Sequence, residues 1–443
     1  MNQIRSWWAA LNPWQRLAVV LWTLILAGSC GRVLLSRSSS SAGIYRVYAE
    51  AGRHWLDANP VYAASDGWDV FPYSPLLAAF FAPFSTLPPG VGNALYRLVL
   101  GGSFLAAVGW WCRSALPRSL TPTGRALVFL LVIPVTVTTM VNGQVGGLVA
   151  AAVILTIAAA ASERWNWAAA LATLACLIKA YPVALALLLC VCYPRRFAGR
   201  FVIALLAGLS LPFLLQGPGY VADQYGSWLH LLGSSDRHDW SLEIANRDVA
   251  LLFRVWLQPL DPRLWQGIQV LTAAGAAAWC VAARRAGWPH RQLLVTVLGT
   301  ATCWMTLFGP VVESFTYILV GPTLAWLLID SWLEKRALAY RAGLVASWAI
   351  FTAATVAVWF PNSIRVHSMG PHPVAGLLLL GCLLAGDLAR FLSYKREQLS
   401  LAETVSARPL RRTFLTSPER ERGVLRSPRA RGGYDKEHHA YLR

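Results

Sequence analysis

The sequence predicts an all-α fold, a polytopic bundle of about 12 transmembrane helices, and it does so through three observations. Of the 443 residues, 56% are hydrophobic and only 14% are charged, whereas a soluble domain carries about 25% charged residues. Apolar runs long enough to cross a bilayer recur along the chain. Basic residues gather in the short connectors between those runs, as orientation signals do, because Lys and Arg resist translocation. A soluble chain of this length would form two or three domains, each needing a polar coat, and the charges are too few to supply it. The same scarcity excludes a disordered chain. A net charge of +18 would by itself suggest nucleic acid, but its distribution assigns it to topology, and no nucleic-acid partner is expected.

The first run, residues 17–35, follows Arg5 and Arg16 and reads as an uncleaved first helix. Leu26-Ala27-Gly28-Ser29-Cys30 loosely matches a lipoprotein cleavage site, but the leucine stands one position too early. In the polar stretch 36–72, Ile44, Tyr48, Ala51 and Trp55 fall at helical spacing, with Arg46, Glu50, Arg53 and Asp57 on the other side. That pattern predicts an amphipathic helix lying on the outer membrane surface. Residues 73–87 contain Pro75 and Pro83 and form either a short span or a re-entrant segment. Further runs cover 90–111, 126–141, 143–161, 165–178, 181–192 and 201–215, then, after the polar stretch 216–248, 264–283, 293–308, 314–333, 343–360 and 374–392.

Arg113/Arg118/Arg125, Arg195/Arg196/Arg200, Arg284/Arg285/Arg291 and Lys335/Arg336/Arg341 all face the cytoplasm if both termini do. The count then closes with 73–87 re-entrant, and the two long polar stretches share the outer face. A multi-pass protein of the cell membrane is the expected result, with membrane lipids as neighbours. Residues 1–392 form the membrane domain; residues 393–443, with twelve Lys/Arg against six Asp/Glu, form a basic cytoplasmic tail expected to be disordered and to touch anionic headgroups. All eight cysteines lie in or beside apolar runs and lack zinc-ligand spacing. They are read as packing residues; no disulfide, metal or cofactor is expected.

Polar groups at membrane depth are costly and mark functional candidates. Lys179 stands in Ile178-Lys179-Ala180-Tyr181-Pro182, between two short apolar pieces. It is either a snorkelling hairpin residue or a cation that binds phosphate or carboxylate, with Tyr181 beside it. Asn142-Gly143-Gln144 interrupts another hairpin; Asn-Gly alone explains a turn, while Gln144 suits hydrogen bonding to a sugar hydroxyl or a phosphate. Asn246 or Asp248 would cap a helix, and Arg247 between them is a candidate anion ligand. Glu313, followed by Ser314 and Tyr317, either favours a helix N-terminus or faces the same outer cavity. Asp69, in Trp68-Asp69-Val70-Phe71-Pro72-Tyr73, sits among aromatics that suit either an interfacial belt or stacking on a sugar ring. Glu50 has ion-pair partners at helical spacing in Arg46 and Arg53. P-loop, dinucleotide, H-E-x-x-H and G-x-S-x-G signatures are absent from the sequence.

The order of these features resembles a known family. An outer Tyr-rich helix ending in Asn59-Pro60-Val61-Tyr62 precedes Phe71-Pro72-Tyr73-Ser74-Pro75-Leu76, then Asn142-Gly143-Gln144, Ile178-Lys179-Ala180-Tyr181-Pro182, and Asn246 ahead of Arg254. In this order they are similar to glycosyltransferase family 87 (DUF2029), of the GT-C type, over about residues 17–392. Its best-known members are polyprenol-phosphate-mannose-dependent alpha-mannosyltransferases. The resemblance implies transfer of a sugar, mannose by family habit, from a polyprenyl-phosphate donor to a hydroxyl of a lipid or glycan acceptor, with inversion, at the outer face. That chemistry needs a carboxylate to accept the hydroxyl proton and cationic or hydrogen-bonding groups for the departing phosphate. Lys179, Asn142, Gln144 and Asn246 match the family's polar positions. Many relatives carry an aspartate before the tyrosines of the first outer helix; here Ser41-Ala42-Gly43-Ile44-Tyr45 has no acid. The base is then Asp69 first and Glu50 second, with Asp57 and Asp66 behind them, or the chain is a catalytically silent scaffold. A lipid or sugar transporter is the second reading, ahead of the scaffold, and would need midplane sites open to both sides.

Overall fold

The computed structural model describes residues 2–35, 43–62, 70–234, 240–360 and 363–406. Asp66, Trp68, Asp69, Asp236, Asp239 and residues 407–443 lie outside the described residues. The chain divides into two compact units, 1–395 and 396–443; the first holds the bundle and its cavities, and of the second residues 396–406 are described, as helix.

Nineteen α-helices occur among the described residues: α1 (Asn2–Ala10), α2 (Pro13–Leu35), α3 (Tyr45–Leu56), α4 (Pro75–Ser85), α5 (Pro89–Ser114), α6 (Pro122–Leu131), α7 (Ile133–Asn142), α8 (Gly146–Ala161), α9 (Trp165–Ile178), α10 (Val183–Cys192), α11 (Gly199–Ser210), α12 (Pro218–Ser234), α13 (Val249–Trp256), α14 (Pro262–Arg285), α15 (His290–Leu307), α16 (Gly321–Leu333), α17 (Leu338–Ala357), α18 (Ser363–Ser368) and α19 (Pro371–Ser406). Six helical stretches are long and apolar enough to cross a membrane: Pro13–Leu35, Pro89–Ser114, Pro194–Leu214, Pro262–Arg285, Ser314–Leu333 and Pro371–Tyr394. The bent pair α6 and α7 makes a seventh. This is a polytopic membrane protein, all-α among its described residues.

The apolar run 126–141 was expected to be one helix, but it breaks at Val132 with a bend of 56°. Pro134, second in α7, removes a donor and crowds the preceding turn. α4 has 11 residues, about 16 Å of rise against a bilayer core of about 30 Å. By length it is comparable to α10, which has 10 residues.

α8 is the centre of the bundle. Its sequence, rich in Gly and Ala, lets α5 and α9 approach closely along its length, and nearly every residue from Gly146 to Ala161 is buried. With 16 residues it rises about 24 Å, so it separates two ends of the molecule. At its C-terminal end Glu163 meets Arg196 at 3.1 Å, and Tyr193 Oη pairs with His290 Nδ1 at 2.9 Å. Arg118, beyond the end of α5, pairs with Glu334, while Arg390 reaches Asp330 at 2.8 Å and Asp387 at 3.3 Å. Two of the expected basic connectors, at Arg118 and Arg196, thus tie neighbouring segments through ion pairs at this end.

At the N-terminal end of α8, α3 and α4 cover the bundle. The polar side expected for α3 is exposed at Arg46, Glu50 and Arg53, but its apolar side does not face lipid. Tyr45, Tyr48, Ala51 and Trp55 are buried within the protein, because the aromatic rings find partners in Phe81 and Tyr96. Gly52 permits the contact: a Cβ there would sit 2.8 Å from the Phe81 carbonyl carbon. The second polar stretch packs on the first, with Val61 N–H donating to Gln224 at 2.8 Å, Gln216 to Trp55 O at 2.8 Å and Tyr220 to Asn59 O at 2.8 Å.

Candidate functional site

Lys179 caps α9 in an extended conformation, φ −140° and ψ 144°, with its amide still bonded to Ala175 O at 3.0 Å. Pro182 starts the next helix, so the chain cannot continue straight, and the ammonium is left at the turn. Its Nζ lies 3.8 Å from Glu313 Oε2 and 5.8 Å from the ring centres of both Tyr73 and Tyr181. Only 16% of the lysine side chain is exposed, against 38% of the glutamate. Glu313 is held by a reciprocal cap, its carboxylate accepting from the Thr316 amide while its own N–H donates to Thr316 Oγ1 at 3.1 Å. Ser74 Oγ donates to Leu177 O, fastening the start of α4 to the last turn of α9.

Two tyrosines extend this site. Tyr48 Oη accepts the Val145 N–H at 3.3 Å and lies 3.4 Å from Tyr73 Oη. Burial pushes both phenols above their ordinary range, so they remain protonated hydrogen-bond donors. Tyr181 Oη is buried and has no partner among the described residues. An apolar groove of about 480 Å³ runs between α4, α5, α8 and α9, lined by Leu77, Phe80, Leu148, Leu155, Leu177 and Ile178, and ends one residue short of Lys179.

A second hollow, of about 140 Å³, is lined by Asn142 and Gln144 together with Arg32, Arg97, Ile44 and Phe315. Asn142 closes α7 by donating to Thr138 O at 2.9 Å, and Gly143 follows in the left-handed conformation, φ +64°, which favours glycine. A Cβ there would also lie 3.3 Å from Arg97 Nη2. Neither arginine was singled out from the sequence. The signal was present: Arg97 interrupts the apolar run 90–111 and Arg32 the run 17–35, where a charge is costly.

Asn246 lines a third hollow, of about 360 Å³, with Asp248, Arg254, Trp265, Gln266 and Gln269; its Oδ1 is buried without a hydrogen-bond partner among the described residues. Arg247 turns onto its own loop, donating to Leu242 O at 2.8 Å and Glu243 O at 2.6 Å. Its amide donates to Val312 O at 2.6 Å, and Tyr317 Oη donates to its carbonyl at 2.8 Å. Asp248 caps α13, and burial raises its carboxyl to about 6.

The structure therefore brings Lys179, Glu313 and Tyr181 together with Tyr73, and puts Asn142 with Gln144. Asn246 is in a separate hollow, and Tyr317 anchors the loop that carries it. The segment from Pro310 to Phe315 touches all three places. Glu50 is two residues from Tyr48, about 200° around the helix, and is exposed; it faces away from the lysine. Among the described residues no group of three His, Cys, Asp or Glu side chains comes together to hold a metal.

A polytopic membrane protein whose largely buried lysine directly follows the lining of an apolar groove in sequence is equipped to meet an amphiphile with an anionic head. The model of glycosyltransferase family 87 matches residues 71–310, more than half of the chain, and the protein belongs to that family. The match contains Asn142, Gln144, Lys179 and Asn246, whereas Glu50, Asp69, Glu313 and Tyr317 lie outside it. No curated protein matches the sequence. Among solved structures, ArnT from Cupriavidus metallidurans, bound to undecaprenyl phosphate, is similar at a TM-score of 0.43 with 16% identity, covering 86% of this chain and 77% of that one.

Proposed function

We propose that the protein transfers a sugar, mannose by its family resemblance, from a polyprenyl-phosphate donor to an acceptor hydroxyl at the outer face of the cell membrane. The reading includes about 12 crossings, with both termini cytoplasmic: α2, α5, the bent pair α6–α7, α8, α9, α10, α11, α14, α15, α16, α17 and α19. One observation carries it. The Lys179 ammonium stands 5.8 Å from the centres of two tyrosine rings, and the residue before it, Ile178, lines an apolar groove, an arrangement that suits a phosphate on a long hydrocarbon chain.

In the reaction, the acceptor oxygen attacks the anomeric carbon as its proton passes to a carboxylate, and the bond from that carbon to the phosphate oxygen breaks. The departing polyprenyl phosphate gains negative charge, which Lys179 and the Tyr73 and Tyr181 hydroxyls stabilise. At rest the lysine is paired with Glu313; an entering phosphate competes for the lysine and frees the carboxylate. Asp69 remains the first candidate for the base, and Glu313 replaces Glu50 as the second, since Glu50 faces away.

The test is transfer from radiolabelled polyprenyl-phosphate-mannose to acceptors in a membrane extract, using purified protein in lipid. Lys179→Ala is expected to lose transfer and to weaken donor binding. Donor bound normally by that variant would end the phosphate role of Lys179.

A further inference from the structure

Arg97 is 3% exposed within α5. Two of its guanidinium nitrogens tie helices together: Nε donates to Asn93 Oδ1 at 2.9 Å, and Nη1 to Ser29 Oγ at 2.7 Å, Met140 O at 3.0 Å and Val141 O at 2.5 Å. Those bonds satisfy the free carbonyls at the end of α7. The other amino group, Nη2, has no hydrogen-bond acceptor among the described residues and packs beside Gly143. The hollow it borders is the one of about 140 Å³ that also contains Arg32, Asn142 and Gln144.

Two guanidiniums line this space, and no described carboxylate does. Like charges sharing a partly desolvated pocket repel, and a buried charge without a counter-charge is costly. A purely structural tie would need only the Nε and Nη1 donors already in use. The volume is about ten times the smallest that admits one water, which leaves room for a tetrahedral anion. Planar guanidinium forks and side-chain amides are the donors that oxyanions of phosphorus prefer.

We propose that Arg32 and Arg97, with the amides of Asn142 and Gln144, form an anion subsite for a phosphate group, separate from Lys179. The phosphate comes either from a lipid headgroup or from a free phosphomonoester. The subsite stands on this pocket alone and does not depend on the transfer reaction. Tyr48 lies between the two cationic places, bonded to the Val145 amide on one side and meeting Tyr73 on the other. A transferase with both sites filled would hold two phosphates at once.

The experiment uses the full chain in nanodiscs of zwitterionic lipid, titrated with inorganic phosphate and, separately, with dihexanoyl phosphatidic acid. Because Arg97 also ties helices, the variants are Arg32→Gln, on an exposed side chain, and Gln144→Glu, which puts a carboxylate into the pocket. Each is made alone and together with Lys179→Gln, which removes the other phosphate place; Arg118→Gln, at the far end, is the control. Saturable binding that survives Lys179→Gln is expected, weakened about ten-fold by Arg32→Gln and lost in Gln144→Glu, with Arg118→Gln within about two-fold of the parent. Binding of phosphatidic acid without inorganic phosphate identifies a headgroup, and comparable binding of both identifies free phosphate. The absence of saturable binding of either probe, or loss in Lys179→Gln with Arg32→Gln and Gln144→Glu unaffected, would overturn the subsite.

Discussion

The two ends of α8 use charge in opposite ways. At the end marked by Glu163, each cation named has a carboxylate partner: Arg196 with Glu163, Arg118 with Glu334, and Arg390 with both Asp330 and Asp387. Arg118 is 42% exposed and Arg196 55%, so each of their pairs contributes about 0–1 kcal/mol. At the other end, Arg97 keeps an amino group open to a hollow, Tyr181 keeps a buried hydroxyl without a partner among the described residues, and Asn246 keeps a carbonyl. Lys179 has one carboxylate at 3.8 Å, longer than a tight ion pair. Charge that is matched by protein holds connectors together. Unmatched polar atoms alone do not separate the ends, since Trp165 Nε1, Gln292 Nε2 and Asp387 Oδ2 at the Glu163 end are also buried without a hydrogen-bond partner among the described residues. What distinguishes the other end is that Arg97 and Asn246 border hollows.

Substitutions at the two ends break or sharpen that contrast. The largest effect is expected from Lys179→Ala, about 100- to 1,000-fold in kcat/KM for sugar transfer, while Arg118→Ala changes it less than about two-fold. Equal losses in radiolabel assays would erase the distinction between the ends. The base is distinguished next: Asp69→Asn is expected to lower kcat about 100-fold or more, and a larger loss in Glu313→Gln would move the role to Glu313.

Stability against pH provides a third measurement. The folded pKa of Asp248 is raised to about 6 from an ordinary 3.8, so the folded state binds the proton more tightly than the unfolded one. Its favourable contribution is complete below pH 4 and is lost as pH rises through about 6, a total of about 3 kcal/mol at most. Asp248→Asn retains the helix cap and should flatten that part of a thermal-melting profile in detergent. Tyr48→Phe removes its bonds to Val145 and Tyr73, at a cost of about 1 kcal/mol in the same melts. The smallest effect is expected from Glu163→Gln, about 0.5 kcal/mol or less.

Much of the bundle was legible in the chain because its signals are local. Apolar runs predicted most helices within a few residues, and α3 was visible from the alternation of Tyr48, Ala51 and Trp55 with Glu50 and Arg53. Pro134 sits inside a run whose hydropathy does not register it, so the break at Val132 was missed. Lys179 stood out because charge is rare in such segments. Arg32 and Arg97 were equally rare, but a lone arginine does not indicate what it faces. Glu313 was visible as a helix-start residue; its pairing with a lysine 134 positions earlier has no local trace.

Membrane class, family and the basic connectors are thus properties of the chain itself: hydrophobicity and charge act residue by residue, whatever the packing. Which polar groups converge was decided by tertiary structure. Close approach of α9 to the small residues of α8, and packing of the segment after α15 on α7 and α8, bring the turn of Asn142–Gln144, the turn of Lys179 and the segment Pro310–Phe315 to one end. Proximity between residues far apart in sequence depends on how helices pack, and side-chain volume along α8, rather than any motif, sets that distance.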